Sequence, residues 1–214
     1  MRFTEFPIVK EGLLFVIPAS ILAIVLGFLL PVYFTPLLIL VILFILYFFR
    51  NPKRRIPELE GCIVAPADGK VIYIGEYLED QFLSTRAIKI SIFMSVFNVH
   101  INRVPASGKI TDISYREGKF FSANFDKASI FNEQNALLLE TDDDKKIVFI
   151  QIAGLIARRI ICWIKKGDAV LRGQRFGLIC FGSRLDIFLP LETKIDVKIG
   201  QKVKGGETIV GYST

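Results

Sequence analysis

The amino-acid sequence begins with a long apolar segment. Pro31 divides it into Leu13–Leu30 and Val32–Phe49, and neither half contains Asp, Glu, Lys or Arg. As a helix each half would be about 27 Å long, close to the roughly 30 Å hydrocarbon core of a bilayer. The pattern predicts a helical hairpin with its turn at Pro31. The hairpin either spans the membrane or enters it as a re-entrant pair, since Pro18 and Pro36 also interrupt the halves.

The rest of the sequence alternates short apolar runs with turn residues, a pattern typical of β-strands. We therefore expect two domains, a membrane-anchoring hairpin over residues 1–50 and a β domain over residues 51–214. In the β domain, Ile63–Val64 leads through the turn Pro66-Ala67-Asp68-Gly69 into a second strand, Lys70–Ile74. A hairpin is predicted from Ala136–Glu140 and Lys146–Ile152, which flank residues 142–144.

The C-terminal third contains an internal repeat with an offset of 33 residues. Gly167, Val170, Gly173 and Phe176 recur as Gly200, Val203, Gly206 and Ile209. Each copy supplies two glycine turns and two apolar positions, which is the pattern of the lipoyl/biotinyl type of barrel-sandwich. The predicted fold class is mostly β, a barrel-sandwich-like domain with two pseudo-repeats behind the helical hairpin.

The charge distribution favours a membrane as partner. Of 27 basic residues against 21 acidic ones, four cluster directly after the apolar segment: Arg50, Lys53, Arg54 and Arg55. Such a run attracts an anionic lipid surface or stops translocation. Arg2 and Lys10 lie on the other flank, so the positive-inside tendency predicts a cell-membrane protein whose β domain faces the cytoplasm. No basic stripe interleaved with aromatic residues occurs elsewhere, which argues against nucleic acid.

The three cysteines, Cys62, Cys162 and Cys180, are widely spaced and lie in apolar surroundings. Neither a CxxC pair nor a Cys/His cluster with zinc spacing is present in the sequence, so we predict no metal site. We expect the thiols to be core residues in a reducing compartment.

Three polar positions are candidates for chemistry, although each has a structural alternative. Asp68 precedes Gly69 in a common turn pair. His100 is the only histidine, and a lone histidine is more often structural than catalytic. On a strand it would share a face with the polar residues Asn98 and Asn102, which strengthens the case for a site. Ser183 follows a glycine that leaves space beside the preceding carbonyl group, but a Gly-x-Ser-x-Gly elbow is missing, so an ordinary hydrolase serine is not expected.

Taken together, these segments resemble the short form of the phosphatidylserine decarboxylase family over nearly the whole chain. Each block is weak by itself, and the order and spacing of the blocks make the resemblance specific. The blocks are Phe48-Phe49-Arg50-Asn51-Pro52, Ala65-Pro66-Ala67-Asp68-Gly69, Phe93-Met94-Ser95, Asn98-Val99-His100, Asn102-Arg103, Pro105 and Phe181-Gly182-Ser183-Arg184-Leu185-Asp186.

The resemblance implies a proenzyme that cuts itself between Gly182 and Ser183 into a beta chain, 1–182, and an alpha chain, 183–214. It implies that Ser183 becomes a pyruvoyl group, the covalent cofactor that forms a Schiff base with phosphatidylserine, and that the product is phosphatidylethanolamine. Ser183, His100 and Asp68 are the implied catalytic residues, with His100 and Asp68 as a base and its orienting group. A homo-oligomer is left open.

Two departures from longer family members affect the assignment. Those members have Gly-Ser-Thr where this chain has Gly182-Ser183-Arg184, and they carry a second histidine where this chain has Arg103. His100 therefore either serves both self-cleavage and decarboxylation or shares one step with another group.

Two other classes of protein compete with the decarboxylase. An N-terminal anchor before a barrel-sandwich also resembles a membrane-fusion adaptor of efflux systems, but the long coiled-coil hairpin of those proteins is missing. A lipoyl or biotinyl carrier is the third class. It is weakened because Asp126-Lys127-Ala128, which resembles a lipoyl attachment tripeptide, lacks the flanking pattern and lies outside the repeat. Only the decarboxylase requires a chain break before Ser183.

Overall fold

The computed structural model describes residues 7–118, 132–154, 159–180 and 183–213. The chain forms two compact units, residues 1–53 and residues 54–214. Several residues singled out above lie outside the described residues: Arg2, Asp126 to Ala128, Phe181 and Gly182.

The first unit is a helical hairpin, as predicted. Helix α1 (Lys10–Leu29) and helix α2 (Thr35–Phe48) are joined through Pro31 and a short 3-10 turn. Backbone pairing of Ile8 with Arg50 ties the two open ends of the hairpin together. By length and composition α1 could cross a membrane, whereas α2 is shorter. The expected interruption at Pro18 is wrong, because α1 continues through this residue.

The second unit is built from strands, which confirms the predicted fold class. Within the described residues the strands are β1 (Cys62–Val64), β2 (Gly69–Glu79), β3 (Thr85–Met94), β4 (Ile101–Arg103), β5 (Gly108–Arg116), β6 (Gln134–Thr141), β7 (Lys146–Ala153), β8 (Ile160–Cys162), β9 (Ala169–Val170), β10 (Arg175–Ile179), β11 (Ser183–Leu189), β12 (Lys194–Ile195), β13 (Lys202–Val203) and β14 (Ile209–Tyr212).

The strands form one large curled sheet and two small ones. The large sheet is antiparallel, in the order β13-β2-β3-β11-β7-β6-β5-β9. The small sheets have the orders β1-β14-β12 and β4-β10-β8. Strand β11 therefore lies in the middle of the large sheet, hydrogen-bonded to a neighbour on each side.

The predicted internal repeat is a structural repeat. Gly167 and Gly200 occupy equivalent turns, with φ of 94° and 89°, and their N–H groups donate to Ile110 O at 2.7 Å and to Val71 O at 2.8 Å. Positive φ favours glycine, because a Cβ atom is strained there. The second pair of glycines, Gly173 and Gly206, likewise donates to Val104 O and Ala65 O, both at 2.8 Å.

The repeat extends further than the C-terminal third. The strands that pair with its two copies are each preceded by the same turn sequence, Pro-Ala-x-Gly-Lys followed by an apolar residue, at 66–71 and at 105–110. In these turns Asp68 and Ser107 occupy equivalent positions. The sequence-based prediction included only the first copy, because the offset of 39 residues differs from the offset of 33 that relates the glycine turns.

The hydrophobic core lies against one face of the large sheet. Phe149 of β7 and Phe176 of β10 are fully buried there, with ring centroids 4.8 Å apart and planes at 70°. Cys62 and Cys180 are buried and Cys162 is partly buried, and burial raises the pKa of the Cys62 and Cys162 thiols. A raised pKa disfavours the reactive thiolate form, as expected for core cysteines.

We predict that Phe149→Ala lowers the free energy of unfolding by about 3 kcal/mol or more, since it removes a ring that the packed core cannot replace. The measurement is chemical denaturation of the full chain in detergent, followed by circular dichroism. Leu171→Ala is the control, because that side chain is 69% exposed and its truncation should change little. Equal effects of the two substitutions would contradict this account of the core.

Candidate active site around Ser183

Ser183 is the first residue of β11 and is fully buried. It pairs with Met94 of β3 on one side and with Ala153 of β7 on the other. The alternation along β11 places Ser183 on the core face with Leu185 and Ile187. Two neighbouring strands thus fix the backbone of the candidate nucleophile.

The hydroxyl group of Ser183 has a weak partner. Its Oγ donates to the Met94 sulfur at 3.4 Å. A thioether is a weak hydrogen-bond acceptor, so this contact holds the hydroxyl loosely. Breaking it to reach a stronger acceptor would cost little.

His100 is fully buried directly before β4, and its ring orientation defines its tautomer. Its Nδ1 lies 3.0 Å from the backbone carbonyl oxygen of Asn98. Because a carbonyl oxygen can only accept, Nδ1 carries the proton, and Nε2 of the neutral ring keeps its lone pair. This is the form of imidazole that can act as a general base.

The Asn98 carbonyl is fixed by a closed turn. Asn98 Oδ1 accepts from the backbone N–H and the hydroxyl group of Ser95, at 2.9 and 2.8 Å, and Asn98 N donates to Ser95 O at 2.9 Å. The segment Ser95–Asn98 therefore orients the imidazole through a backbone group. The sequence-based prediction gave this task to the Asp68 carboxylate. It was also wrong to place Asn98 and His100 on a strand, because Asn98 lies in this turn and β4 begins only at Ile101.

Strands β4 and β10 bring the histidine and serine segments together. The N–H of Ile179, the last residue of β10, donates to His100 O at 3.4 Å, and the chain reaches Ser183 four residues later. Asn102, two residues after His100, donates from Nδ2 to the same Met94 sulfur that Ser183 contacts, at 3.6 Å. Met94 is thus a common neighbour of both segments.

Asp68 has different partners from those expected. Both carboxylate oxygens lie 2.8 Å from the Arg54 guanidinium, and Oδ1 also accepts from Gly205 N at 2.8 Å. Among the described residues no hydrogen bond joins Asp68 to His100 or Ser183. The structure therefore brings His100 and Ser183 into one region and pairs Asp68 with an arginine.

The internal repeat explains part of the Asp68 contact. In the other copy, Ser107 Oγ accepts from the backbone N–H of Arg172 at 3.0 Å, and Arg172 is the repeat equivalent of Gly205. Since both halves contain this turn contact, the hydrogen bond from Gly205 N to Asp68 has a structural role in the turn. The pairing with Arg54 is what distinguishes Asp68 from Ser107, and the catalytic role of Asp68 stays a prediction.

Arg103, which stands where longer family members carry a second histidine, is buried close to Asp68. Its Nη1 donates to Gly173 O at 2.8 Å. Burial, together with the charges of Arg175 and Arg54, lowers the pKa of Arg103 to about 10. Arg103 therefore remains protonated at neutral pH and cannot take over the role of a general base.

The basic cluster after the hairpin is only partly a surface feature. Arg54, which was expected to attract lipid, has a side chain only 6% exposed and forms ion pairs with Asp68 at 2.8 Å and Glu207 at 3.7 Å. The prediction for this residue is wrong, because two buried or half-buried carboxylates neutralise its charge inside the second unit.

The opposite face of β11 carries an ion cluster that the sequence did not suggest. Asp186 lies 2.9 Å from Arg184 Nε and 3.2 Å from Lys89 Nζ, and all three side chains are buried. The Lys89 ammonium also lies 4.3 Å from the centre of the Tyr77 ring. The charged side chains next to Ser183 in sequence thus lie on the face of the sheet away from its hydroxyl group.

These features define a class of protein: a mostly β domain behind an apolar N-terminal hairpin, with a buried serine at the start of a central strand and a buried histidine bonded through Nδ1 to a backbone carbonyl oxygen. Comparison with known proteins identifies the family. The family model for phosphatidylserine decarboxylase matches residues 41–211. The phosphatidylserine decarboxylase proenzyme of Syntrophus aciditrophicus is 55% identical over 95% of this chain and 96% of its own length.

Further relatives agree. The proenzymes of Geobacter metallireducens and Desulfotalea psychrophila, both named phosphatidylserine decarboxylase, are 49% and 44% identical over 99% and 97% of this chain and the same shares of their own. The chain belongs to the phosphatidylserine decarboxylase family. The predicted family and the predicted enzyme class, a lyase made as a proenzyme, are confirmed. Neither the adaptor nor the carrier alternative is supported.

We predict that Arg54→Ala lowers the free energy of unfolding by about 3 kcal/mol, because it leaves a buried carboxylate without its partner. Arg55→Ala is the matched control, since Arg55 is exposed and contacts Glu207 only through its backbone N–H. Denaturation of both variants in detergent measures the difference. If the two arginines prove equivalent, the Arg54–Asp68 pair does not stabilise the fold.

Proposed function

We propose that the chain cleaves itself between Gly182 and Ser183 and then decarboxylates phosphatidylserine to phosphatidylethanolamine with the resulting pyruvoyl group. The observation that carries the proposal is the buried, loosely held hydroxyl of Ser183 at the start of a central strand. A nucleophile that must attack the carbonyl group preceding its own residue needs a fixed backbone and a hydroxyl that is only weakly bonded, and Ser183 combines the two.

The first step is an N-to-O acyl shift. His100 Nε2 accepts the hydroxyl proton, and Ser183 Oγ forms a bond to the Gly182 carbonyl carbon. The Gly182–Ser183 C–N bond then breaks, and the leaving nitrogen takes up the proton as an amine. The product is an ester of the same composition as the precursor. The tautomer of His100 supports this role, since its Nδ1 proton is fixed on the Asn98 carbonyl oxygen.

The second step separates the chains. A base removes the α-proton of residue 183, the Cβ–Oγ bond breaks, and Gly182 leaves as a carboxylate. The dehydroalanine that remains tautomerises to an imine, and water replaces its nitrogen, which leaves as ammonia. Once formed, the pyruvoyl group supplies a carbonyl that captures the substrate amine and withdraws electrons as carbon dioxide leaves.

The fold supports retention of both chains after this cut. Strand β11 of the proposed alpha chain lies between β3 and β7 of the proposed beta chain. The ion cluster also joins the two, because Arg184 and Asp186 belong to one and Lys89 to the other. The strand that begins at residue 183 therefore remains held by backbone pairing on both sides and by the ion cluster on one face of the sheet.

We predict that the full chain, synthesised in a cell-free system with lipid vesicles, yields residues 1–182 and 183–214 on intact-mass spectrometry. The shorter piece should have a blocked N-terminus that reacts with carbonyl reagents. Ser183→Ala should remain whole, because it lacks the attacking oxygen. His100→Ala should cleave more slowly by a factor of about 100 or more. Phosphatidylserine decarboxylation should appear with the cleaved chains only.

The matched control is Ser91→Ala, since Ser91 is a buried serine on the neighbouring strand β3. It should cleave like the unchanged chain. Asp68→Asn separates the two roles of Asp68: a turn role lowers stability and preserves cleavage, whereas an orienting role abolishes cleavage in a folded protein. An uncut chain in the unchanged protein would overturn the proposal.

The membrane location is also part of the proposal. The apolar hairpin would anchor the enzyme in the bilayer that contains its lipid substrate, at an anionic surface, with residues 54–214 on the cytoplasmic side. The support is the length and composition of α1 and the basic residues on the flanks of the hairpin.

We predict that a C-terminal tag is digested by protease added to inverted membrane vesicles and protected in right-side-out vesicles. The tag reports the side of residues 54–214, because the cytoplasmic face is outside only in inverted vesicles. A periplasmic reporter domain serves as the control for vesicle orientation. Digestion in right-side-out vesicles only would reverse the proposed topology.

A further inference from the structure

A chain of three buried amides ends at Met94, whose sulfur Ser183 also contacts. Asn135 Nδ2 donates to Gln151 Oε1 at 2.9 Å, and Gln151 Nε2 donates to Asn102 Oδ1 at 2.8 Å. Asn102 Nδ2 then donates to the Met94 sulfur at 3.6 Å. All three amides are buried, on strands β6, β7 and β4.

The direction of this chain fixes the orientation of the last amide. Gln151 donates to Asn102, so the oxygen of Asn102 must face Gln151 and its NH₂ group must face Met94. A flipped Asn102 would place two donors against each other and leave a buried oxygen at the sulfur. The network therefore presents an N–H donor, and not an acceptor, toward the Ser183 side.

The acceptor at the end of the chain is a poor one. The Met94 sulfur accepts from Asn102 Nδ2 and also from Ser183 Oγ, so both donors converge on one weak acceptor. Any oxygen that gains negative charge near Ser183 would compete successfully for the Asn102 N–H, since charge-assisted hydrogen bonds are about twice as strong as neutral ones.

We propose that Asn102 is the donor that stabilises the negative charge developing on the Ser183 oxygen during self-cleavage, and that Gln151 and Asn135 are positioning residues for it. The inference rests on the proposed function and adds a residue to its first step. As His100 takes the Ser183 proton, the Asn102 N–H moves from the sulfur to the oxygen. No bond of Asn102 forms or breaks besides this hydrogen bond.

A glycine on β10 provides the space for the amide chain. A Cβ atom at Gly177 would lie 2.8 Å from Gln151 Nε2 and would also collide with the backbone oxygen of Ile161. Gly177 pairs with Asn102 in the β4–β10 ladder. The absence of a side chain at this position thus allows Gln151 to reach across to Asn102.

The test is the rate of self-cleavage in the cell-free system, measured beside the melting temperature of the Ser183→Ala form of each variant. Asn102→Leu should cleave about 100-fold more slowly, the typical effect of removing one hydrogen-bond donor to a developing negative charge. It also leaves the Gln151 N–H without an acceptor, which lowers stability. The triple variant Asn102→Leu, Gln151→Met, Asn135→Leu removes the whole chain, so its stability should recover while its cleavage stays slow.

Gln134→Met is the matched control, because Gln134 is a buried amide of β6 on the opposite face of the sheet from Asn135. Its cleavage rate should stay within about twofold of that of the unchanged chain, because an amide on the other face of the sheet cannot donate a hydrogen bond to the Ser183 oxygen. Recovery of the cleavage rate together with stability in the triple variant would overturn the inference, and so would normal cleavage by Asn102→Leu. Absence of cleavage in the unchanged chain would instead refute the proposed function itself.

Discussion

The backbone ladder on both sides of Ser183 is the constraint on which the rest of the site depends. Because β3 and β7 pair with the first residue of β11, the serine backbone cannot shift without breaking the middle of the large sheet. Fixing the backbone leaves only the side-chain torsion to be controlled, and a single weak contact with Met94 controls it. The turn at 95–98 orients the imidazole of His100, and the pairing of β4 with β10 brings the His100 segment toward the Ser183 segment.

The alternation of β11 separates two electrostatic environments. On the core face, Ser183 has a thioether and neutral amides nearby, and on the opposite face Arg184 and Asp186 form an ion cluster with Lys89. Neutral donors can stabilise an anion without first being occupied by a carboxylate. Because successive side chains of a strand point to opposite faces, the hydroxyl group of Ser183 is separated from the charged side chains that are adjacent to it in sequence.

The sequence allowed the hairpin, the strand-rich domain and the glycine repeat to be predicted, and His100 and Ser183 to be selected as candidates, because each rests on local patterns of polarity or on motif order. The partners of Asp68 could not be predicted, since Arg54 and Gly205 meet it only after the two halves of the sandwich pack. The role of the Asn98 carbonyl oxygen as the partner of His100 was not predicted, because every residue has a backbone carbonyl group and the residue type does not show which one is used. Asn102 was placed on the face of His100, but Gln151 and Asn135 come from strands whose register no local pattern reveals.

The strand order has a consequence for the lifetime of a cut protein. Residues 183–214 supply a central strand of the large sheet and one copy of the repeat, and their buried apolar side chains belong to a core shared with the remainder of the domain. An unfolded precursor can refold as a single chain, whereas two separate chains must first associate by diffusion before the sheet can form again. Maturation would thereby exchange reversible folding for kinetic stability, so that the rate of unfolding, and not an equilibrium, limits how long each enzyme molecule lasts.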